Sequence, residues 1–207
     1  MRTPEELKQG YRDFRKGTYL EQAKLYEELG RGQDPDIMII ACADSRAEPA
    51  DIFNAAPGQL FVVRNVANLV PPYDPGGGLH GVSAALEFAV TALKVKHILI
   101  MGHGGCGGVQ ASLSAANDKP VGHFIAPWVS LLDEARDGVL AKQPADAQRE
   151  LEFAGIGTSL KNLMTFPFVE ERIKSGDLQL HGAWFAIAHG ELHWRDETSG
   201  EFSVVEP

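Results

Sequence analysis

His97-Ile98-Leu99-Ile100-Met101-Gly102-His103-Gly104-Gly105-Cys106-Gly107-Gly108 carries a short unbroken apolar run into a loop with five glycines in seven residues. The run has the length and composition of a strand buried on both faces. Ile37-Met38-Ile39-Ile40-Ala41 and Leu60-Phe61-Val62-Val63 are two more such runs. Between the second and third, Val82, Ala85, Leu86, Ala89, Val90 and Leu93 fall on one helical face. Strands alternating with helices predict an α/β fold, with a mostly parallel central sheet and flanking helices. Residues 109–175 read as helical, with one stripe of Trp128, Leu131, Leu132 and Ala135. A second stripe, Leu160, Leu163 and Met164, stops near Pro167. From Leu178 to Trp194 the pattern returns to strand. Ala188-His189-Gly190-Glu191 suggests a hairpin turn that adds one antiparallel edge strand. Ahead of all this, residues 5–29 read as two short helices punctuated by Gly17 and ended by Gly30-Arg31-Gly32. This stretch has too few apolar residues to fold alone, so it is expected to pack on something else.

The chain has 207 residues, enough for one domain with an arm. Asp and Glu outnumber Lys and Arg by 28 to 19, a formal charge of −9. Neutralising phosphates needs a basic face, so the balance argues against nucleic acid and against an anionic membrane. No apolar stretch approaches the ~18 residues that span a bilayer. The first seven residues are charged and lack an apolar signal core, which predicts a cytoplasmic protein. Cys42 and Cys106 are the only cysteines, which excludes a disulfide framework.

Cys42 follows the first apolar run, His103 follows the third, and Cys106 comes three residues later. If those runs are neighbouring parallel strands, their carboxyl ends bring the three residues together, where α/β sheets bind ligands. One imidazole and two thiolates form a ligand set of catalytic zinc sites that keep the fourth position open. Other readings stand beside this one. A strand-end cysteine is often an inert buried hydrophobe. Cys106 at a helix start, with His103 as base, would make a cysteine hydrolase. A zinc-binding regulatory protein would need the ligands and no turnover. The glycine loop reads either as a phosphate cradle, without the Lys-Ser/Thr ending of a P-loop, or as backbone brought close to an ion and a small substrate. Asp44 and Arg46 read as a pair beside the metal, with Asp44 an acceptor for bound water, or as a surface ion pair of little worth.

Cys42-Ala43-Asp44-Ser45-Arg46, together with His103-Gly104-Gly105-Cys106-Gly107-Gly108, resembles the β-class carbonic anhydrases. Phe61-Val62-Val63-Arg64-Asn65-Val66-Ala67-Asn68 is similar to the family's middle signature. The resemblance runs motif by motif from Gln33 to Val109. It implies one Zn2+ per chain on Cys42, His103 and Cys106, with solvent as fourth ligand. It implies reversible hydration of CO2 to bicarbonate and a proton by attack of zinc-bound hydroxide. Arg46 would hold Asp44 off the zinc, and Asp44 would accept a hydrogen bond from the hydroxide. Gln33, Phe61, Val66 and the Gly107 amide would form the substrate pocket. The family builds that pocket at a dimer interface, which implies a homodimer or higher oligomer. Residues 1–32 would be a helical arm wrapping the partner, and 33–207 a single zinc-binding catalytic domain. Some relatives hydrolyse carbonyl sulfide or carbon disulfide with similar ligands, an alternative for the same site.

Gln33, nine residues before Cys42, resembles the plant-like subgroup with an open, water-bearing zinc. The bicarbonate-inhibited subgroup has a tryptophan where this chain has Ile39, so no bicarbonate pocket of that kind is expected. The plant-like pattern often has tyrosine where this chain has Phe88, and the Asp74 to His80 loop also departs from it. His80 and His123 are candidate proton relays in loops. His97, His181, His189 and His193 read as structural or surface positions.

Two thiolates cancel the formal charge of a zinc dication, whereas three neutral histidines leave it intact. The comparison is the three-histidine carbonic anhydrases, whose bound water has a pKa near ~7. A water beside two thiolates and Asp44 is acidified less. CO2 hydration is therefore expected to rise into mildly alkaline pH, with an apparent pKa above that reference. A rate profile already flat from about pH 6.5 upward would contradict it.

Overall fold

The structure is a computed structural model that describes residues 3–117 and 119–207. It divides into two compact units, Met1–Asp34 and Pro35–Pro207.

The first unit holds three helices where the sequence suggested two: α1 (Pro4–Lys16), α2 (Thr18–Glu21) and α3 (Ala23–Leu29). Thr3 opens α1 with a capping box to Glu6, and Pro4 occupies the first turn where no N–H is needed. Gly17 separates α1 from α2, as expected. The extra break comes at Gln22, which leaves helical geometry at φ −106°, ψ 20°. No residue of the three helices is buried. Phe14, Tyr19 and Tyr26 form one aromatic cluster, while Leu7, Tyr11 and Leu20 lie exposed.

The second unit is built on a six-stranded sheet of order β2-β1-β3-β4-β5-β6. The expected runs become β1 (Ile37–Cys42), β2 (Leu60–Asn65) and β3 (His97–His103), each one or two residues longer than the apolar stretch. β1 pairs in parallel with both β2 and β3. The chain therefore leaves β1 toward one edge and later returns on its other side, which makes the β1/β3 ends the switch point of the sheet. Alternate side chains of the runs serve two cores. Met38, Ile40, Ile98 and Ile100 pack with Leu86, Val90, Ile156 and Leu163. Ile39, Ala41, Leu99 and Met101 pack with Ala47 and Ala183. Burial on both faces is why these strands show no polar alternation.

The helical face between β2 and β3 forms as read, with Val82, Leu86, Ala89 and Val90 buried. Its winding changes midway. After the short α4 (Pro49–Ile52) between β1 and β2, α5 (Gly81–Glu87) forms this face and widens into a π-helical stretch, Phe88–Leu93, which Lys94 closes at φ 58°. After β3 come α6 (Gly107–Ala115), α7 (Ile125–Val129), α8 (Asp133–Ala141), α9 (Ala147–Leu163) and α10 (Pro167–Lys174). Leu132 and Leu163 of the expected stripes are fully buried, while Met164 lies past the end of α9 and is half-exposed.

β4 (Gln179–Ala186) runs parallel to β3, and β5 (Glu191–Arg195) returns antiparallel to β4. Their turn closes with the His189 and Gly190 N–H groups donating to the Ala186 carbonyl, at Gly190 φ 68°. It takes four residues rather than the two of a tight hairpin. A short β6 (Phe202–Val204), which no sequence pattern indicated, pairs antiparallel with β5. Among the described residues, no helix is long and apolar enough to cross a membrane.

Candidate metal centre

Cys42 is the last residue of β1, His103 is the last of β3, and Cys106 immediately precedes α6. Strand pairing alone therefore delivers residues 61 and 64 positions apart to one point. Their ligand atoms lie within 4.8 Å of one another, and the two sulfurs are 3.8 Å apart. All three side chains are buried.

His103 is oriented for coordination. Its Nδ1 lies 3.0 Å from the Gly104 carbonyl, a bond that places the proton on Nδ1 and the lone pair on Nε2. That Nε2 is buried and has no hydrogen-bond partner. A buried orphan nitrogen is costly, and a cation between it and the two sulfurs removes the cost.

The thiols carry the same signal. The hydrogen bond from Cys106 lowers the Cys42 thiol, against the pull of burial. The bond to Cys42, together with burial and Cys42's charge, pushes Cys106 up. One proton therefore stays between two sulfurs that cannot both be bare anions. Burial disfavours charge on His103, but Cys42, the Gly104 carbonyl and Asp44 leave its imidazole with a raised affinity for a proton. Cys42 is thus poised as an anion, while Cys106 and His103 hold positive charge more tightly at the same point, and a divalent ion supplies it. The donor set fits zinc.

Backbone N–H groups secure both sulfurs. Those of Asp44 and Ala67 favour the thiolate of Cys42, and those of Gly108 and Val109 that of Cys106. Ala67 does so from a left-handed turn, φ 64°, followed by Asn68 at φ 49°. Asn65 brackets that turn, accepting from the Leu69 N–H and donating to its carbonyl, both at 2.9 Å. The start of α6 lies against the turn. A Cβ on Gly108 would sit 2.6 Å from Val66 Cγ1 and 2.9 Å from Ala67 Cβ. The glycine loop is thus the close-approach kind, packed against the turn at Val66 and Ala67.

Asp44 and Arg46 form a two-pronged pair. Arg46 Nε donates to Asp44 Oδ1 at 2.9 Å and Nη2 to Oδ2 at 2.7 Å, with the Arg46 backbone N–H adding a third bond. Hydrogen bonds from the Arg46 side chain hold the Asp44 carboxyl well below the usual carboxylate range. Asp44 Oδ2 lies 3.8 Å from His103 Nε2, at the rim of the three donors. Arg46 also reaches the Gly105 carbonyl at 3.2 Å.

Of the expected pocket residues, Val66 and Gly107 lie beside the centre, on the turn after β2 and at the start of α6. Phe61 does not. It pairs with Met38, four positions before the Cys42–Asn65 pair, or about 13 Å along the strand. There it packs against Phe88 at 5.9 Å between ring centroids. Gln33 belongs to the first unit.

Two residues to which the sequence assigned no role support the centre. Glu152 of α9 is buried; its Oε1 accepts from the Cys106 N–H at 2.8 Å and from Gln148 Nε2 at 2.7 Å. Its Oε2 accepts from the Trp184 indole at 3.0 Å. Arg64 donates to the carbonyls of Cys42, Asp44 and Ala47 and pairs with Glu48, which staples the loop after β1. The available signal for Glu152 was an acidic residue on the apolar face of a helix. Nothing in the sequence said what it faced.

Residues 37–192 match the carbonic anhydrase family. The chain belongs to the β-carbonic anhydrases. It is 38% identical over 185 residues to β-carbonic anhydrase 5, chloroplastic, of Arabidopsis thaliana, across 87% of this chain and 61% of that protein. It thus spans about three fifths of that relative's length. The solved structure of the β-carbonic anhydrase CcaA covers 98% of this chain and 92% of its own, with 33% identity and a TM-score of 0.90. A tetrameric β-carbonic anhydrase of Sordaria macrospora covers 96% and 98%, with 28% identity and a TM-score of 0.82.

In this β-carbonic anhydrase fold, Glu152→Gln keeps the size of the side chain. It turns an amide NH2 against either the Cys106 N–H or the Trp184 indole, a donor facing a donor. The zinc affinity of the variant is expected to fall by roughly 10–100-fold, as for other partners that orient ligands. Competition with a fluorescent chelator checks this, and unchanged affinity would refute it.

Proposed function

We propose that this chain catalyses the reversible hydration of CO2 to bicarbonate and a proton, using Zn2+ held by Cys42, His103 and Cys106. The observation that carries the reading is the buried Nε2 of His103, left without a partner between two thiols. Zinc held by these three side chains would supply an acidified water as nucleophile. The remaining roles fall to the chain itself. Asp44 stays ionised in its bond to Arg46 and is acceptor-only. Its Oδ2 takes the hydrogen bond of the attacking oxygen, which turns a lone pair toward carbon. Arg46 keeps both carboxylate oxygens engaged, so Asp44 does not rotate in among the three donors. Val66 offers CO2 an apolar wall, and the Gly107 N–H at the start of α6 offers a donor for the negative charge that grows on its oxygen.

Phe61 and Gln33 belong in this reading to a pocket made by two copies of the chain. Phe61 sits beside the half-exposed Phe88 rather than at its own metal centre. The exposed Leu7, Tyr11 and Leu20 of the arm give it an apolar face to lay on a partner. A homodimer or a higher oligomer follows. A cysteine hydrolase is disfavoured by the burial of Cys106, whose sulfur lies 3.8 Å from a second buried thiol rather than open to a substrate.

Stopped-flow CO2 hydration at about pH 8.5, before and after zinc is stripped, tests the proposal. Fast hydration should disappear on stripping and return with zinc. Zinc-loaded protein that hydrates no CO2 would overturn it and direct the search to carbonyl sulfide and carbon disulfide. Arg46→Ala is expected to lower kcat by about 100-fold or more. Arg46→Lys should not restore it, because a lysine lacks the two-pronged geometry.

A further inference from the structure

We propose that His97 and His181 form a second metal site, for an exchangeable divalent cation that prefers imidazole, such as Ni2+, Cu2+ or Zn2+. His97 is the first residue of β3, and His103 at the catalytic centre is the last. Six residue steps separate them, about 20 Å along the strand. The site is therefore at the opposite end of the sheet.

The pairing of β3 with β4 builds it. Leu99 stands opposite His181, so His97 and His181 are diagonal neighbours on one face of the sheet. His97 Nδ1 lies 3.2 Å from His181 Nε2. Two nitrogens bound to one ion at about 2.0–2.1 Å, with an angle between square and tetrahedral, stand about 2.9–3.4 Å apart. The observed spacing falls inside that window without any movement of the backbone.

The surroundings prepare the pair. Glu197 Oε1 lies 2.9 Å from His181 Nδ1. That bond puts the His181 proton on Nδ1 and leaves its Nε2 lone pair facing His97, the carboxylate–histidine arrangement seen behind metal ligands. Trp194 packs against the His181 ring at 5.7 Å, and the Asp36 carbonyl accepts the His97 N–H at 3.1 Å. Burial, partly opposed by Glu197, keeps His181 neutral and so available as a ligand. In the metal-free pair, His97 Nδ1–H donates to His181 Nε2. Moving that proton to His97 Nε2 frees the second lone pair with no net release. Two protein ligands leave the other positions to water, so the ion exchanges readily. Nickel suits imidazole and is a poorer match than zinc for the thiolate centre, which makes it the probe of choice.

Zinc-loaded protein is titrated with NiCl2 by calorimetry, with metal analysis confirming that the catalytic zinc is retained. One Ni2+ per chain beyond the zinc is expected. It should be lost in His97→Ala and in His181→Ala, and bound roughly 10–100-fold more weakly in Glu197→Gln. CO2 hydration should persist in all three variants. No nickel beyond the zinc in the parent protein would overturn the site, as would an unchanged affinity in both histidine variants, which would assign the nickel to other surface histidines. Should a histidine variant fail to fold, Glu197→Gln decides alone, because that side chain is exposed. Unchanged nickel affinity there would overturn the site.

Discussion

Two thiols 3.8 Å apart and an imidazole nitrogen turned toward them, all buried, are an arrangement that a cation reconciles. Close anions repel, and burial removes the water that would screen them. A proton shared by the two sulfurs is the alternative to metal, and it is the weaker one, because it leaves the hydrogen-bonding capacity of His103 Nε2 unmet. Much of the surrounding structure holds these donors together: the parallel β1–β3 pairing, the left-handed turn at Ala67, and α6 packed so closely that position 108 has no room for a side chain.

Support for the centre arrives from every direction of the fold. Glu152 enters from α9 to take the Cys106 N–H, with Trp184 of β4 fixing its second oxygen. Arg64 reaches across from β2 to tie down the carbonyls of Cys42 and Asp44. Arg46 turns back on Asp44 and also catches Gly105. The carboxylate that would meet substrate is thereby bound to the same loop that carries Cys106. A displacement in any of these elements would be felt at the donors, because the interior is close-packed. The opposite end of the sheet is organised on a smaller scale by the same device, with Glu197 setting which nitrogen of His181 faces its neighbour.

The three apolar runs were plain in the sequence because strands buried on both faces admit no polar alternation, and the Leu86–Val90 helix because one face must be apolar. Other features left no such mark. The widening of that helix at Phe88–Leu93 changes its winding without changing which face is apolar. The third arm helix depends on one departure from helical geometry at Gln22, and β6 on three residues reached through backbone pairing rather than composition. Met164 fits the spacing of its stripe but lies beyond the last turn of α9, so the period outruns the helix.

By itself the sequence determined the donor types, their placement just after two apolar runs, the Asp44–Arg46 spacing and the glycines of the loop. These are local matters, set by chain order and by what a residue type can do. Only the tertiary structure decided that β1 and β3 are neighbours, so that Cys42 meets His103 and Cys106. It also decided that His103 presents Nε2, that Glu152 of a distant helix serves Cys106, and that Phe61 lies away from its own metal centre. The physical reason is that each of these depends on strand order, register or packing between segments far apart in the chain, and no spacing along the chain encodes which segments will touch.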